Sequence, residues 1–214
     1  MFSNQCSVND QEIEVKFYVQ DLGKVEARLR EMGARLLHPR VHELNLRYDR
    51  PDGSLRREHR VLRLRRSDDI RLTYKGPSSI VDGAMSRQEI ETTVGDFEAT
   101  KAFFDALDYQ LVVMYEKYRT VYEIETPGVS KDSGCLVMLD ELPYGNFVEI
   151  EGSEAVSIHA AADSLGLKWE AAIGKSYLAL FEQLRDKLGF TFRDLTFVNL
   201  AGLNEPSVQF FNTQ

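Results

Sequence analysis

The sequence predicts an α+β protein: about eight antiparallel strands that curl or close on themselves, with helices packed against the sheet. Three observations predict it. Polar and apolar residues alternate in one run after another. Four other stretches carry apolar residues at helical spacing. The segment QEIE occurs twice, at Gln11–Glu14 and Gln88–Glu91, each time heading a strand, a helix and then further strands.

The first strand covers residues 12–19, with Glu12, Glu14 and Lys16 on one face and Ile13, Val15 and Phe17 on the other. DLGKVEARLREMG follows as a helix, Leu22, Val25, Leu29 and Met32 forming its stripe and Gly33 its stop. VHELNLRYD, HRVLRLRR and DIRLTYKG read as strands, separated by loops signalled by RPDGS and GPSSIVDG. RQEIETTV opens the second half. DFEATKAFFDALDY is a helix capped by Asp96, with Phe97, Phe104 and Leu107 expected inward. LVVMYEKYRTVYEIE, CLVMLDEL and GNFVEIEG complete the strands, TPGVSKDSG linking the first two. Helices SEAVSIHAAADSLG and GKSYLALFEQLRDKLG end the pattern.

Bulk properties narrow the function. The 214 residues, 43% hydrophobic, suit one large domain, and a net charge of −8 argues against non-specific grip on nucleic acid or anionic membrane. The start, MFSNQCSVND, lacks the apolar core of a signal peptide, and no apolar run is long enough to span a membrane. Cys6 and Cys135 are too few for a disulfide framework or a cysteine metal site. The expectation is a reduced, cytoplasmic protein.

The polar partners in the strands are mostly ions. Arg63 and Arg65 alternate with leucines, Arg71 and Lys75 with Leu72 and Tyr74, and Lys117 and Arg119 with Tyr118. Arg87, Glu89 and Glu91 share a face, as do Glu149 and Glu151, shortly after Asp140. One reading makes these the solvated faces of a half-buried sheet. The other turns them inward, leaving the aliphatic faces to meet the helices. Bases and acids paired on the same face in strand after strand favour the second. A charged lumen is costly unless a ligand offsets it, and a polyanion carrying a divalent metal offsets both signs. Carboxylates hold Mg²⁺ or Mn²⁺, and Arg and Lys bind phosphate oxygens.

Glu12-Ile13-Glu14-Val15-Lys16 resembles the Glu-x-Glu-x-Lys signature of the CYTH superfamily, the triphosphate tunnel metalloenzymes. The rest of that pattern follows in order: Tyr48-Asp49, LRLR at 62–65, LTYKGP at 72–77, Arg87 with Glu89 and Glu91, Lys117 with Arg119, Asp140, Glu149 with Glu151, and Lys175-Ser176-Tyr177. The family includes class IV adenylyl cyclases, thiamine triphosphatases, tripolyphosphatases and some RNA triphosphatases, and the detail is most similar to its class IV cyclase branch. The resemblance implies a closed eight-stranded antiparallel tunnel with a charged lumen and helices outside, a CYTH domain over 1–189 and an extension over 190–214. It implies a catalytic set of Glu12, Glu14, Lys16 and Lys75. Lys16, Arg63, Arg65, Lys75, Arg87, Lys117 and Arg119 would grip a triphosphate. Glu12, Glu14, Glu149 and Glu151 would hold the metal, Asp140 nearby, with Glu89 and Glu91 orienting bases or holding a second ion. It makes a homodimer plausible. Triphosphate hydrolysis is the favoured reaction. ATP cyclisation and a non-catalytic polyphosphate- or nucleotide-binding module are the alternatives, and fold and shared motif do not separate substrates.

Other features carry less. His38 and His42 lie four apart, but Pro39 and the strand pattern oppose a helical zinc site. The basic run RREHRVLRLRR reads as a tunnel strand rather than a nucleic-acid patch. His59, His159, Tyr177 and Trp169 read as surface or packing residues, and Cys135 as a small buried hydrophobe. Ser176 lacks a nucleophile context. The Phe-rich tail is expected to pack on the barrel, cap a tunnel mouth or join a dimer, with its last ten or so residues frayed.

Overall fold

Each period-two run forms a strand, and all pair antiparallel. The computed structural model of the chain describes residues 8–81, 84–125 and 134–201, with side chains from residue 13 onward. The strands are β1 (Val8–Val19), β2 (Arg35–Asp49), β3 (Val61–Arg66), β4 (Ile70–Val81), β5 (Ala84–Thr93), β6 (Gln110–Ile124), β7 (Cys135–Leu142) and β8 (Gly145–Gly152). They close into a barrel in the order β1-β5-β4-β3-β2-β6-β7-β8, β8 pairing back onto β1. Closure leaves the ring no unpaired edge strand.

The order explains the repeated QEIE. Starting from the β1/β5 boundary, one direction reads β1, β8, β7, β6 and the other β5, β4, β3, β2. In sequence each unit is a leading strand, a helix and three strands, β1 to β4 and β5 to β8. In the ring each leading strand lies beside the last strand of the other unit, and the two leading strands are neighbours, with Gln11 opposite Gln88. The two acidic segments lie side by side in one wall.

The aliphatic faces look outward. Val15, Phe17, Val148 and Ile150 pack under α1 (Leu22–Glu31) and α4 (Ala155–Ser164) through Val25, Leu29, Ile158 and Ala161. Leu46, Tyr48 and Leu64 meet Phe97 and Phe104 of α3 (Phe97–Ala106). Tyr144 and Phe147 meet Leu180, Phe181 and Leu184 of α5 (Tyr177–Leu188). A short α2 (Ser54–Arg57) crosses the β2–β3 connection, where buried Asp49 accepts bonds from the Leu55 and Arg56 amides at 2.9 and 3.0 Å. Among the described residues no helix is long and apolar enough to cross a membrane.

Two expectations fail locally. The sequence reads GPSSIVDG as a loop, yet β4 runs on to Val81, with Gly76-Pro77 at a register shift between Lys75 and Ser78. A bulge spares proline the ladder bond it cannot donate. Pro39 likewise sits at a shift in β2, between His38 and Val41. Leu107, expected inward, is 55% exposed, because α3 ends at Ala106 and the chain turns through left-handed Asp108 (φ 62°). Tyr109 and Leu111 pack against that core cluster.

Past α5 the chain returns to the barrel. Leu195 exchanges bonds with β6, its N–H donating to Met114 O and its carbonyl accepting from Glu116 N, both at 2.9 Å. Asp194 accepts the Met114 amide at 2.9 Å, and Leu195 and Leu200 are buried against α5. β7 pairs with β6 only from Tyr118 onward, so this segment borders the stretch of β6 that β7 leaves bare. Residues 202–214, which include the tail's expected frayed end, lie outside the described residues.

Candidate functional site

With the aliphatic faces turned out, the charged faces line a cavity of about 1110 Å³ through the barrel. β1 contributes Glu14 and Lys16, β8 Glu149 and Glu151, and β6 Tyr115, Lys117 and Arg119. Opposite stand Glu43 and Arg47 of β2, Arg63 and Arg65 of β3, Arg71 and Lys75 of β4, and Arg87, Glu89 and Glu91 of β5. The side chain of Glu12 lies outside the described residues. Its backbone faces Arg87 in the register.

Lys16 sits between two carboxylates, 3.0 Å from Glu14 and 3.2 Å from Glu149. Arg119 reaches Glu149 at 3.0 Å, and Arg87 lies 3.7 Å from Glu14. Burial alone raises the Glu149 carboxyl, but Lys16, Arg119 and Lys117 outweigh it and hold its pKa well below the usual range. Glu14 is depressed in the same way, Lys16 opposing burial.

Glu151, directly across from Glu14 in the register, goes the other way. Burial, then the charges of Glu149 and Glu14, raise it to about 7 despite Lys75. Between its ordinary 4.5 and about 7 the folded chain holds a proton that the unfolded chain releases. Stability therefore falls as pH rises through this window, by about 3 kcal/mol for this group. Glu151→Gln is expected to remove that slope from urea midpoints measured between pH 5 and 8. Equal slopes in the two proteins contradict the assignment.

Asp140 is fully buried behind this group. It accepts from Arg119 Nε at 2.7 Å and Arg119 Nη2 at 2.5 Å, from Lys117 Nζ at 3.1 Å and from the Tyr177 hydroxyl at 2.8 Å. Those contacts occupy both its oxygens. Tyr177, which the sequence reads as packing, is in the α5 core cluster and also places its ring 5.2 Å from Lys16 Nζ and 5.3 Å from Lys117 Nζ.

On the opposite wall Arg65 lies 3.5 Å from Glu43, and Arg63 3.9 Å from Glu89 and 3.7 Å from Glu91. Lys75 pairs with Glu89, and Arg71 with Glu91 and, at 2.6 Å, with Asp69. Thr73 donates to Glu91 at 2.9 Å and accepts from Arg63 at 3.1 Å. Burial raises the Glu43 carboxyl, but Lys117, Arg119, Arg65 and Arg63 overcome it and bring its pKa to about 2. Glu43, Arg47 and Tyr115 join this lining, although no adjacent acid-base pair in the sequence marks them. The first two alternate with Leu44, Leu46 and Tyr48 by the rule that identified the others, whereas an aromatic at 115 gives no such signal.

Several buried polar atoms find no hydrogen-bond partner: Glu43 Oε2 and Nε of Arg63 and of Arg65, all in residues that line the lumen, and both amide atoms of Asn45, which shares the Glu43 face of β2. Orphaned groups of this kind cost roughly 1–3 kcal/mol each unless a ligand meets them.

A family model described as the CYTH domain matches residues 10–168. The chain belongs to the CYTH family. A relative from Methanocaldococcus jannaschii, named as a candidate adenylate cyclase, is 29% identical over 143 residues, 66% of this chain and 77% of the relative. Among solved structures, a candidate adenylate cyclase from Vibrio parahaemolyticus superposes with a TM-score of 0.68 at 16% identity, over 81% of this CYTH chain and 99% of its own. A Hippeastrum protein, named as an adenylyl cyclase and described as having a dominant triphosphatase activity, gives 0.58 at 16% identity, over 80% and 95%. Both structures share the CYTH fold with this chain.

Proposed function

We propose that this CYTH protein is a divalent-metal-dependent phosphohydrolase acting on a triphosphate bound along the lumen. Inorganic tripolyphosphate, thiamine triphosphate and a nucleoside triphosphate are the candidate substrates. The observation that carries the reading is the lumen itself, where cations and carboxylates face one another and buried Arg63, Arg65 and Glu43 atoms lack partners. Phosphate oxygens meet the guanidiniums, and charge-assisted bonds of this kind are the strong ones. The chemistry of the donor set fits a cation: Glu14, Glu149 and Glu151 share one stretch of wall, and burial, with the charges of Glu149 and Glu14 added, raises the Glu151 pKa. Among the described residues these do not form a ready-made cage of three, since Lys16 bridges Glu14 and Glu149.

Glu14, Glu149 and Glu151, with Glu12 of the same strand as β1's other acid, would hold Mg²⁺ or Mn²⁺, which supplies charge neutralisation and a more acidic water. Lys16, Arg63, Arg65, Lys75, Arg87, Lys117 and Arg119 bind the phosphates. Glu89 and Glu91 orient Lys75, Arg63 and Arg71, and Asp140 positions Lys117 and Arg119 rather than taking the metal. Catalysis then rests on alignment and charge, as phosphoryl transfer requires.

A second reading, cyclisation of ATP to cyclic AMP and diphosphate, has the name of the Methanocaldococcus relative in its favour. The test is metal-dependent release of orthophosphate from the three candidate substrates. Release from at least one, abolished by EDTA, is expected. No turnover of any of them with either metal contradicts the proposal.

A further inference from the structure

Among the described residues the half-buried lumen guanidinium of Arg47 forms no ion pair. Arg47 of β2 stands directly opposite Arg63 of β3 in the strand register, and both line the cavity. Like charges at an opposed pair on one face repel. Arg63 finds Glu89 and Glu91 on the β5 side. Lys16, Arg65, Arg87, Lys117 and Arg119 each meet a carboxylate within 3.7 Å. Tyr115 of β6 and, more weakly, Glu182 of α5 act favourably on Arg47, and Glu182 is engaged by Arg56 at 3.2 Å. Burial, and then Arg63 and Arg87, pull the Arg47 pKa down.

A half-buried cation facing another cation weakens the fold and is worth keeping only for what it binds. We propose that Arg47 binds a phosphate group of the polyanion at the α5 end of the lumen, an inference that rests on the triphosphate reading above. Lys175 and Arg185, at and beside α5, also line the cavity.

The experiment is calorimetric titration of tripolyphosphate, in EDTA so that nothing turns over, into wild type, Arg47→Met and Arg47→Lys, with ligand-free melting curves of all three. Arg47→Met is expected to weaken binding at least tenfold while its ligand-free Tm stays level or rises, and Arg47→Lys to recover part of the affinity. Unchanged affinity in Arg47→Met overturns the assignment. A lowered ligand-free Tm in that variant does so too, because the arginine then serves the fold. Failure of wild type to bind tripolyphosphate overturns the triphosphate reading and this one with it.

Discussion

Asp140→Ala is expected to destabilise the protein by about 3–5 kcal/mol, the cost of breaking a buried ion pair from one side. The carboxylate is fully buried and neutralises Lys117 and Arg119 while accepting the Tyr177 hydroxyl. Its removal leaves two cations in the wall with Glu43 and Glu149 as remaining counter-charges, at 3.6 and 3.0 Å. The hydroxyl of Tyr177 also loses its acceptor, and α5 loses a tie to the barrel. Chemical denaturation measures the effect. A change below about 1 kcal/mol would place Asp140 outside the network that positions the phosphate-binding bases.

Glu14→Ala is expected to separate catalysis from anion binding. Turnover falls by about a hundredfold or more, since removing a metal-holding carboxylate forfeits several kcal/mol of transition-state stabilisation. Metal-free affinity for tripolyphosphate holds or improves, because Lys16 and Arg87 each lose an acid, at 3.0 and 3.7 Å, that competes with phosphate for them. Parallel kinetic and calorimetric titrations check both halves. A loss of anion affinity as large as the loss of turnover would mean that Glu14 supports the phosphate site instead.

Much of this was legible in the residues because a strand has only two faces. Alternation in EIEVKF, LRLRR and VEIE states which residues travel together, and the ring decides only which set turns inward. The helices were legible from their stripes and caps, Asp96 accepting the Ala99 amide at 2.8 Å as expected. What stayed hidden depends on distant chain. Nothing local reveals that Gly76-Pro77 and Pro39 sit at bulges within continuous strands, since a partner strand must absorb the shift. Nothing near Tyr177 reveals that α5 delivers its hydroxyl to Asp140, 37 residues away. Glu43 and Arg47 obey the same alternation, but Asn45 separates them on their face, so no adjacent charged pair marks the strand.

The central claim, hydrolysis of a triphosphate within the lumen, is tested most directly by identifying products in ¹⁸O-enriched water. Wild type and Glu14→Ala would be incubated with tripolyphosphate and with ATP, under Mg²⁺ and Mn²⁺, and the products resolved by ³¹P NMR. Hydrolysis forms a bond from water oxygen to the terminal phosphorus and breaks the bridging P–O bond. The prediction is therefore orthophosphate carrying one solvent ¹⁸O, formed by wild type and scarcely by the variant. Cyclic AMP with unlabelled diphosphate from ATP, and no orthophosphate from tripolyphosphate, would contradict it and make the ribose oxygen the nucleophile.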